Sequence, residues 1–502
     1  MHATKTTNLR GNDMIQKITD FLNGIIWSDW MTYLCLLTGL VFTVVLFGEQ
    51  LKLKEMWRLL FNTKSSSEGI SGFQAFSMAV GGRVGTGNIV GTATAIAYGG
   101  PGALFWMWVL AFLGAATTFA ECSLSQLFKK KIDGVYRGGP AYYIRYGLKA
   151  PWLAVLFAAF AYIGNAILHP GLQADAISTA FYNAFGLNKL ITGVIIVVLL
   201  GLIIFGGVRR IGNFASKVVP IMAGVYILAS LILMAVNFKS VPECFGLIFS
   251  SAFGTNSVFG GILGSAIAWG VKRGFYSSEA GMGTASQAAA NADVSHPAKQ
   301  GLVQSFSVYI DTIFVCSATG LMMLITGMYN VEDGAGGYLY EGLKGVEVGV
   351  GYVQAALDTL LPHFGSIFIA LALFFFAFTT LLAAYNIGET NFLYLFDKMK
   401  NQKLALTIVR ILFLAVTFLG SMVPASLAWA WADIGLGSAA WITMIGALGL
   451  VPVARKLYRD YWAQKKQGLD PIFRPSNIGV ENAELWDEIA DRYEAEMEAE
   501  KK

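Results

Sequence analysis

Apolar segments of membrane-spanning length recur from Trp30 to Ala454, and no stretch between them is long and polar enough to fold as a water-soluble domain. A helix crossing the hydrocarbon core needs about 20 residues. Eleven segments meet that need: 30–48, 73–98, 101–128, 151–185, 190–208, 216–238, 257–293 (interrupted), 300–328, 363–388, 403–421 and 426–454. Hydrophobic residues make up 55% of the 502 and charged residues 14%. That balance excludes a disordered chain, a nucleic-acid-binding protein and an ordinary soluble enzyme. The expected fold class is an all-α polytopic membrane protein in a lipid bilayer.

Charge placement sets an expected orientation. The connections at 49–70, 129–150, 209–217, 272–299 and 397–410 hold twenty Lys and Arg, whereas the alternate ones hold only Lys189, Lys239 and Lys344. By the positive-inside rule the C-terminus is cytoplasmic, and eleven crossings put the N-terminus outside. Lys5, Arg10 and Lys17 oppose this weakly, with Asp13 and Asp20 beside them. Residues 14–27 suit an amphipathic helix on the outer surface. The acidic tail from Glu481 to Lys502 is expected to be a solvated helix. Cys35, Cys122, Cys244 and Cys316 are far apart, as are His2, His169, His296 and His363, so neither set suggests a metal centre or a cofactor.

Two segments combine membrane depth with glycine and polar residues: Gly81-Gly82-Arg83-Val84-Gly85-Thr86-Gly87-Asn88, and the run from Gly270 to Gly283 that contains Ser277-Ser278-Glu279. Glycine weakens a helix by about 1 kcal/mol per residue, so these are expected breaks. Unpaired backbone at membrane depth is tolerated only where it lines a cavity or is buried in protein. With the first span set aside, the remaining ten divide into two groups of five. Each group opens on a broken helix, and the two begin in opposite orientations, the pattern of a transporter's central binding site. The expected division is an extracytoplasmic segment (1–29), an extra N-terminal span (30–48), a first five-helix repeat (73–238), a second, inverted repeat (257–454) and a cytoplasmic tail (455–502). Six acids lie at membrane depth: Glu121, Asp175, Glu279, Asp311, Glu389 and Asp433. Two or three are expected near the pathway and the others paired. Arg83 is either a buried counter-charge or a snorkelling side chain.

Residues 85–89 (GTGNI), 99–114 (GGPGALFWMWVLAFLG), 138–143 (GGPAYY) and 277–281 (SSEAG), with His296-Pro297 and Asp311-Thr312, resemble the signatures of the alanine or glycine:cation symporter family, the sodium:alanine symporters. The resemblance covers nearly the whole chain outside its tails. It implies a leucine-transporter-type fold and inward symport of a small neutral amino acid with Na⁺. It also implies an amino-acid site at Thr86, Gly87, Asn88, Gln173, Ser277 and Ser278, and a sodium site from the carbonyls of Gly81 and Val84 with the hydroxyls of Thr379 and Thr380. Hard cations take oxygen ligands, although threonines in a helix also bond to their own backbone. Ala384 stands where the family usually has tryptophan, Ser278 where it has asparagine, Ala289 where histidine is frequent, and Asp175 where asparagine is frequent. His169-Pro170-Gly171 departs from the usual GNM. An indole covers about 150–250 Å², so Ala384 is expected to border an enlarged substrate space. The alternatives are proton coupling through Glu279 or Asp311 and, with no nucleophile–base pair in view, a membrane enzyme.

Overall fold

The computed structural model describes residues 17–61, 65–423 and 425–501. Lys5, Arg10 and Asp13, with most of the expected N-terminal segment, lie outside the described residues. Within them, eight helices are long and apolar enough to cross a membrane, and Lys189–Ile204 is a shorter apolar helix. The two broken segments occupy the remaining expected positions.

In chain order the helices that frame the site are α1 (Asp29–Val45), α2 (Leu53–Phe61), α3 (Gly72–Arg83), α4 (Thr92–Gly99), α5 (Gly102–Leu127), α6 (Pro140–Tyr146), α7 (Pro151–Ile163) and α8 (His169–Phe185). They continue with α9 (Lys189–Ile204), α10 (Gly207–Val236), α11 (Val241–Ala252), α12 (Leu263–Ser278), α13 (Thr284–Ala290), α14 (Pro297–Val308) and α15 (Ser317–Thr326). The last six are α16 (Val350–Asp358), α17 (Phe364–Leu395), α18 (Gln402–Gly420), α19 (Ala425–Gly449), α20 (Val451–Lys466) and α21 (Leu485–Lys501). Two short hairpins were not expected from the apolar pattern. β1 (Lys130–Ile132) pairs with β2 (Val135–Arg137), and β3 (Asn330–Glu332) pairs with β4 (Tyr338–Glu341), both antiparallel.

α5 is the buried axis. From Gly114 to Leu127 every residue is buried, and it packs against α12 and α14. Small residues make that contact close: a Cβ on Gly270 would lie 2.6 Å from the Ala103 carbonyl oxygen, and one on Gly301 would strike the Ser123 hydroxyl. α17 packs on α8, α7 and α3, and so brings Thr379 and Thr380 to the first break.

Both breaks exist, one where expected and one later than expected. α3 starts with a capping box, in which Ser71 Oγ accepts from Gln74 N and Gln74 Oε1 accepts from Ser71 N. It ends at Val84, and a π-helical turn, Gly87–Gly91, leads into α4. α12, by contrast, runs through Gly270 and Gly274 to Ser278, so the chain breaks at Glu279–Gly283 and not from Gly270. Those two glycines serve close packing on α5 instead. The later break is marked by left-handed backbone at Glu279 (φ 49°), Gly281 (φ 101°) and Gly283 (φ 77°), a conformation uncommon for a side-chain-bearing residue such as Glu279.

Two further expectations need correction. Lys272 and Arg273 precede the break and sit on the opposite side of it from Lys299, so they do not belong with the basic connections. The tail helix α21 is not freely solvated: Trp486, Ile489 and Ala490 are buried.

Candidate functional site

The two breaks meet at the centre of the molecule. A Cβ on Gly87 would lie 3.2 Å from Tyr276 Cδ1 and 3.5 Å from Ser277 Cα, so the first break comes into close contact with the end of α12. Gln173 on α8 pins the first break from the side. Its Oε1 accepts from Thr86 Oγ1 (2.5 Å) and Thr86 N (3.3 Å), while its Nε2 lies 2.9 Å from His169 Nε2. Asn88 closes the break on itself, with Oδ1 accepting from Gly85 N at 2.9 Å, and its Nδ2 donates to Asp311 Oδ1 at 2.7 Å. Ser277 Oγ donates to Asp311 Oδ2 at 2.9 Å. Two buried polar groups thus stand side by side at membrane depth, Thr86 with Gln173 and His169, and Asn88 with Ser277 through Asp311. Ser278 is buried at the end of α12, and its hydroxyl accepts weakly from Ala280 N at 3.4 Å.

Beside these groups lies the region expected to hold a cation. Thr380 Oγ1 donates to the Gly81 carbonyl oxygen and to that of Phe376, both at 3.0 Å. A Cβ on Gly85 would come within 2.4 Å of Thr380 Oγ1, and one on Gly81 within 3.0 Å of Thr379 Cβ. The glycines therefore let α3 and α17 bring carbonyl and hydroxyl oxygens together. Thr379 donates to its own helix, at the carbonyls of Phe375 and Phe376 (3.0 Å each). Val84 forms the cap of α3 at ψ 87°, off the helical conformation. Neutral oxygens near a carbonyl at a helix end are the ligand type that a monovalent hard cation takes, and here the observed contact between the two helices is that of Thr380 Oγ1 with the Gly81 carbonyl.

Two spaces flank the breaks and differ greatly in size. A vestibule of about 850 Å³ reaches down to Thr86, lined also by Asp175, Trp269, Arg273, Glu332 and Trp429. On the other side, Gly82, Asn165, His169, Glu279, Thr380 and Ala384 line a cavity with about 10 Å³ of room for water, enough for about one molecule. Ala384 therefore lines the small cavity and does not share a space with Thr86 in this conformation. Ala289 is fully buried.

Of the six membrane acids, three are paired: Asp175 with Lys189 (2.7 Å), Glu389 with Arg137 (2.5 Å) and Arg410 (3.6 Å), and Asp433 with Lys272 (3.5 Å). Glu121, Glu279 and Asp311 form no ion pair among the described residues. All three face the breaks: Glu121 lies against the backbone of Gly281 and Gly283, Glu279 accepts from Thr284 Oγ1 (2.5 Å), and Asp311 bonds as described above. Arg83 is buried and does not snorkel; it donates to Gln304 O (3.3 Å), Ser307 Oγ and Thr118 Oγ1.

Sequence reasoning missed Arg273. It is buried between Trp269, Tyr276 and Trp429, with ring centroids 5.3, 5.9 and 4.6 Å from its guanidinium carbon. Its Nη1 stands 3.8 Å from Asp433 Oδ1, beyond hydrogen-bond reach. The signal was present: Trp269, Arg273 and Tyr276 fall on one helix face at i, i+4 and i+7.

The model of the sodium:alanine symporter family matches residues 12–475. The putative sodium/proton-dependent alanine carrier protein YrbD of Bacillus subtilis is 54% identical over 467 residues, covering 93% of this chain and 96% of its own length. The sodium/proton-dependent alanine carrier protein of Bacillus sp. PS3 is 50% identical, covering 88% of this chain and 98% of its own. Among solved structures, a mutant of the Eremococcus coleocola manganese transporter aligns with a TM-score of 0.52 at 12% identity, covering 86% of this chain and 88% of its own. A Na⁺-coupled sialic acid symporter aligns with a TM-score of 0.50 at 14% identity, covering 89% and 96%. At those identities the likeness is one of fold, and the fold is of the leucine-transporter type.

Proposed function

This chain belongs to the sodium:alanine symporter family, and from that premise we propose that it carries alanine, or a comparably small neutral amino acid, across a membrane together with Na⁺. It is a multi-pass membrane transporter and not an enzyme. The observation that carries the site assignment is the meeting of the breaks at Gly87 and Ser277, at the foot of the vestibule, with Thr380 bonded to the Gly81 carbonyl alongside.

In this reading the amino acid descends the vestibule to Thr86, Gly87 and Asn88. The backbone around Thr86 and Gly87 meets its carboxylate in exchange for the present contact of Thr86 N with Gln173, and Gln173, Ser277 and Ser278 supply further polar contacts. Na⁺ sits on the carbonyls of Gly81 and Val84 and the hydroxyls of Thr379 and Thr380. Ala384, next to the cation site, comes to border the substrate when the small cavity enlarges. The division into two five-helix inverted repeats, 73–238 and 257–454, behind an extra span at 30–48 makes eleven crossings. The sealed face, with the tail 455–502, is cytoplasmic and the vestibule extracytoplasmic. With Lys272 and Arg273 on the vestibule side, eighteen basic residues face five across the connections, which supports this orientation.

Uptake of labelled amino acids into proteoliposomes tests this directly. Alanine uptake should require an inward Na⁺ gradient, and Thr380→Ala should raise the Na⁺ concentration needed for half-maximal rate. Uptake that ignores Na⁺ in the folded wild type would refute the reading. Coupling to H⁺ is the second reading, supported by Glu279 and Asp311 without a basic partner in reach. Uptake driven by a pH gradient at zero Na⁺ would favour it.

A further inference from the structure

We propose that the C-terminal tail is a strap that holds the cytoplasmic gate shut. The proposal rests on the transport reading above, in which the central site opens to one side and then to the other. If the first and second breaks bind substrate, then opening to the sealed side requires the inner arms α3 and α13 to part. Their ends are tied where that must happen: Ile70 N donates to Asn291 O (3.0 Å) and Asp293 N donates to Ile70 O (2.9 Å). A Cβ on Gly69 would lie 2.9 Å from Asp293 Cβ, so glycine permits this contact.

The tail grips the same residues. Asp293 is buried, and its Oδ1 accepts from Arg492 Nη2 (2.5 Å) and Tyr493 OH (3.3 Å), both on α21. Trp486 is fully buried beneath the end of α5, where its Nε1 donates to the carbonyls of Gln126 (3.2 Å) and Leu127 (3.1 Å). Both are last-turn carbonyls, and that of Gln126 also accepts from Lys129 N at 3.3 Å. Lys129 is held between the rings of Tyr136 and Trp486, 4.1 and 4.8 Å from their centroids, and donates to Ala292 O (3.1 Å). Upstream of α21, Phe473 N donates to Ser295 O (2.9 Å), Ser295 Oγ to Pro471 O (2.7 Å), and Lys299 Nζ to Asp470 (2.7 Å). The connection from α13 to α14 is thus bound at Ala292, Asp293 and Ser295 by the tail or by a side chain that the tail covers.

The family match ends at residue 475, before Trp486, Arg492 and Tyr493, so the grip on Asp293 lies outside the part of the chain that the family model describes. The tail is also braced internally, since Arg474 Nη2 bonds Asp491 (2.6 Å) and Glu494 (2.7 Å). An acidic helix that only needed solubility would not bury its tryptophan or aim its arginine at a gate residue. The geometry makes release of α21 a step on the way to inward opening.

The test is the reactivity of a cysteine behind the gate, measured on the solubilised full-length protein. Ala288→Cys places a thiol on the small inner cavity, and the four native cysteines are buried. With the strap intact it should react slowly with a bulky maleimide. Arg492→Asp should speed the reaction at least about tenfold, as expected when a buried carboxylate loses its partner. Adding Asp293→Arg should bring the rate back to within about threefold of the intact strap, and Arg492→Lys should leave it nearly unchanged. Arg492→Ala is read in the same way if the reversed charge prevents folding. An unchanged rate in a folded variant whose tail has become protease-sensitive would overturn the strap, as would failure of the swapped pair to restore slow labelling. Labelling needs no substrate, so its outcome is independent of whether the wild type shows Na⁺-driven alanine uptake.

Discussion

At the scale of single residues, the site depends on glycines whose missing side chains make room for oxygen atoms. Gly85 is the sharpest case, because an added Cβ would lie 2.4 Å from Thr380 Oγ1. If the hydroxyl escapes by rotating away from the Gly81 carbonyl, the proposed cation site loses a ligand. Gly85→Ala should therefore lower apparent Na⁺ affinity in proteoliposome uptake by at least about tenfold, equivalent to roughly 1.4 kcal/mol. In a Thr380→Ala background the same change should cost much less, because contacting residues do not act additively. Equal losses in both backgrounds would contradict the steric account. A second residue-scale effect lies outside the spans. Glu49 is buried with both carboxylate oxygens unpartnered, and the neighbouring Ser305 hydroxyl donates to Ala115 O (2.8 Å). Burial pushes its carboxyl up to about 8 from 4.5, so the folded protein keeps a proton that the unfolded chain releases. The Glu49 contribution is fully present below about pH 4.5 and is lost as the pH rises towards about 8. Glu49→Gln should then be the more heat-stable protein at about pH 9, with the advantage shrinking towards about pH 5, as read from Tm in detergent.

At the scale of elements, hydropathy made the spans legible, because lipid-facing and protein-facing surfaces are both apolar and length alone then marks a crossing. Glycine content pointed to Gly81–Asn88, within which the helix breaks after Arg83, and misplaced the second break. Glycine density cannot distinguish a helix that stops from one that presses against a neighbour, and Gly270 and Gly274 do the latter against α5. The decisive signal at the second break was the left-handed backbone of Glu279, which carries no mark in composition. Thr86 and Asn88 stood out as polar groups too expensive to bury idly, whereas Gln173 was pointed to only by the family resemblance. The tail's burial was not, since an acidic helix with one tryptophan reads as solvated until its partner surface is known. Gly270→Ala would place a methyl 2.6 Å from the backbone oxygen of Ala103, which cannot step aside cheaply. That should cost about 1–3 kcal/mol, seen as a lower Tm in detergent. Gly264, on the same helix, has nothing within 4 Å of a built Cβ, and Gly264→Ala should leave Tm unchanged or raise it.

At the scale of the whole molecule, the structure is open to one side and sealed to the other, and the open side shows what closing it involves. The vestibule holds about 850 Å³ above Thr86, many times the room left in the inner cavity. Arg273 on α12, which lines the vestibule, stands 3.8 Å from Asp433 on α19. Asp433 Oδ1 and Arg273 Nε and Nη1 are all buried without hydrogen-bond partners. Unbonded buried charges are costly, so an approach of about 1 Å that turned this ion pair into a charge-assisted hydrogen bond would favour drawing α12 towards α19. That movement narrows the vestibule directly above the meeting point of the breaks. Substrate and Na⁺ below it, by ordering the breaks, should shift the population towards the closed arrangement. A thiol at Val90→Cys, on the vestibule wall, should react readily with a water-soluble maleimide in the empty protein and about tenfold more slowly with Na⁺ and alanine present, a change of roughly 1.4 kcal/mol in the closing equilibrium. Arg273→Gln removes the charge and keeps a similar length, so most of that protection should disappear while the labelling rate of the empty protein stays the same. Full protection in the folded Arg273→Gln variant would mean that the vestibule closes without the Arg273–Asp433 pair.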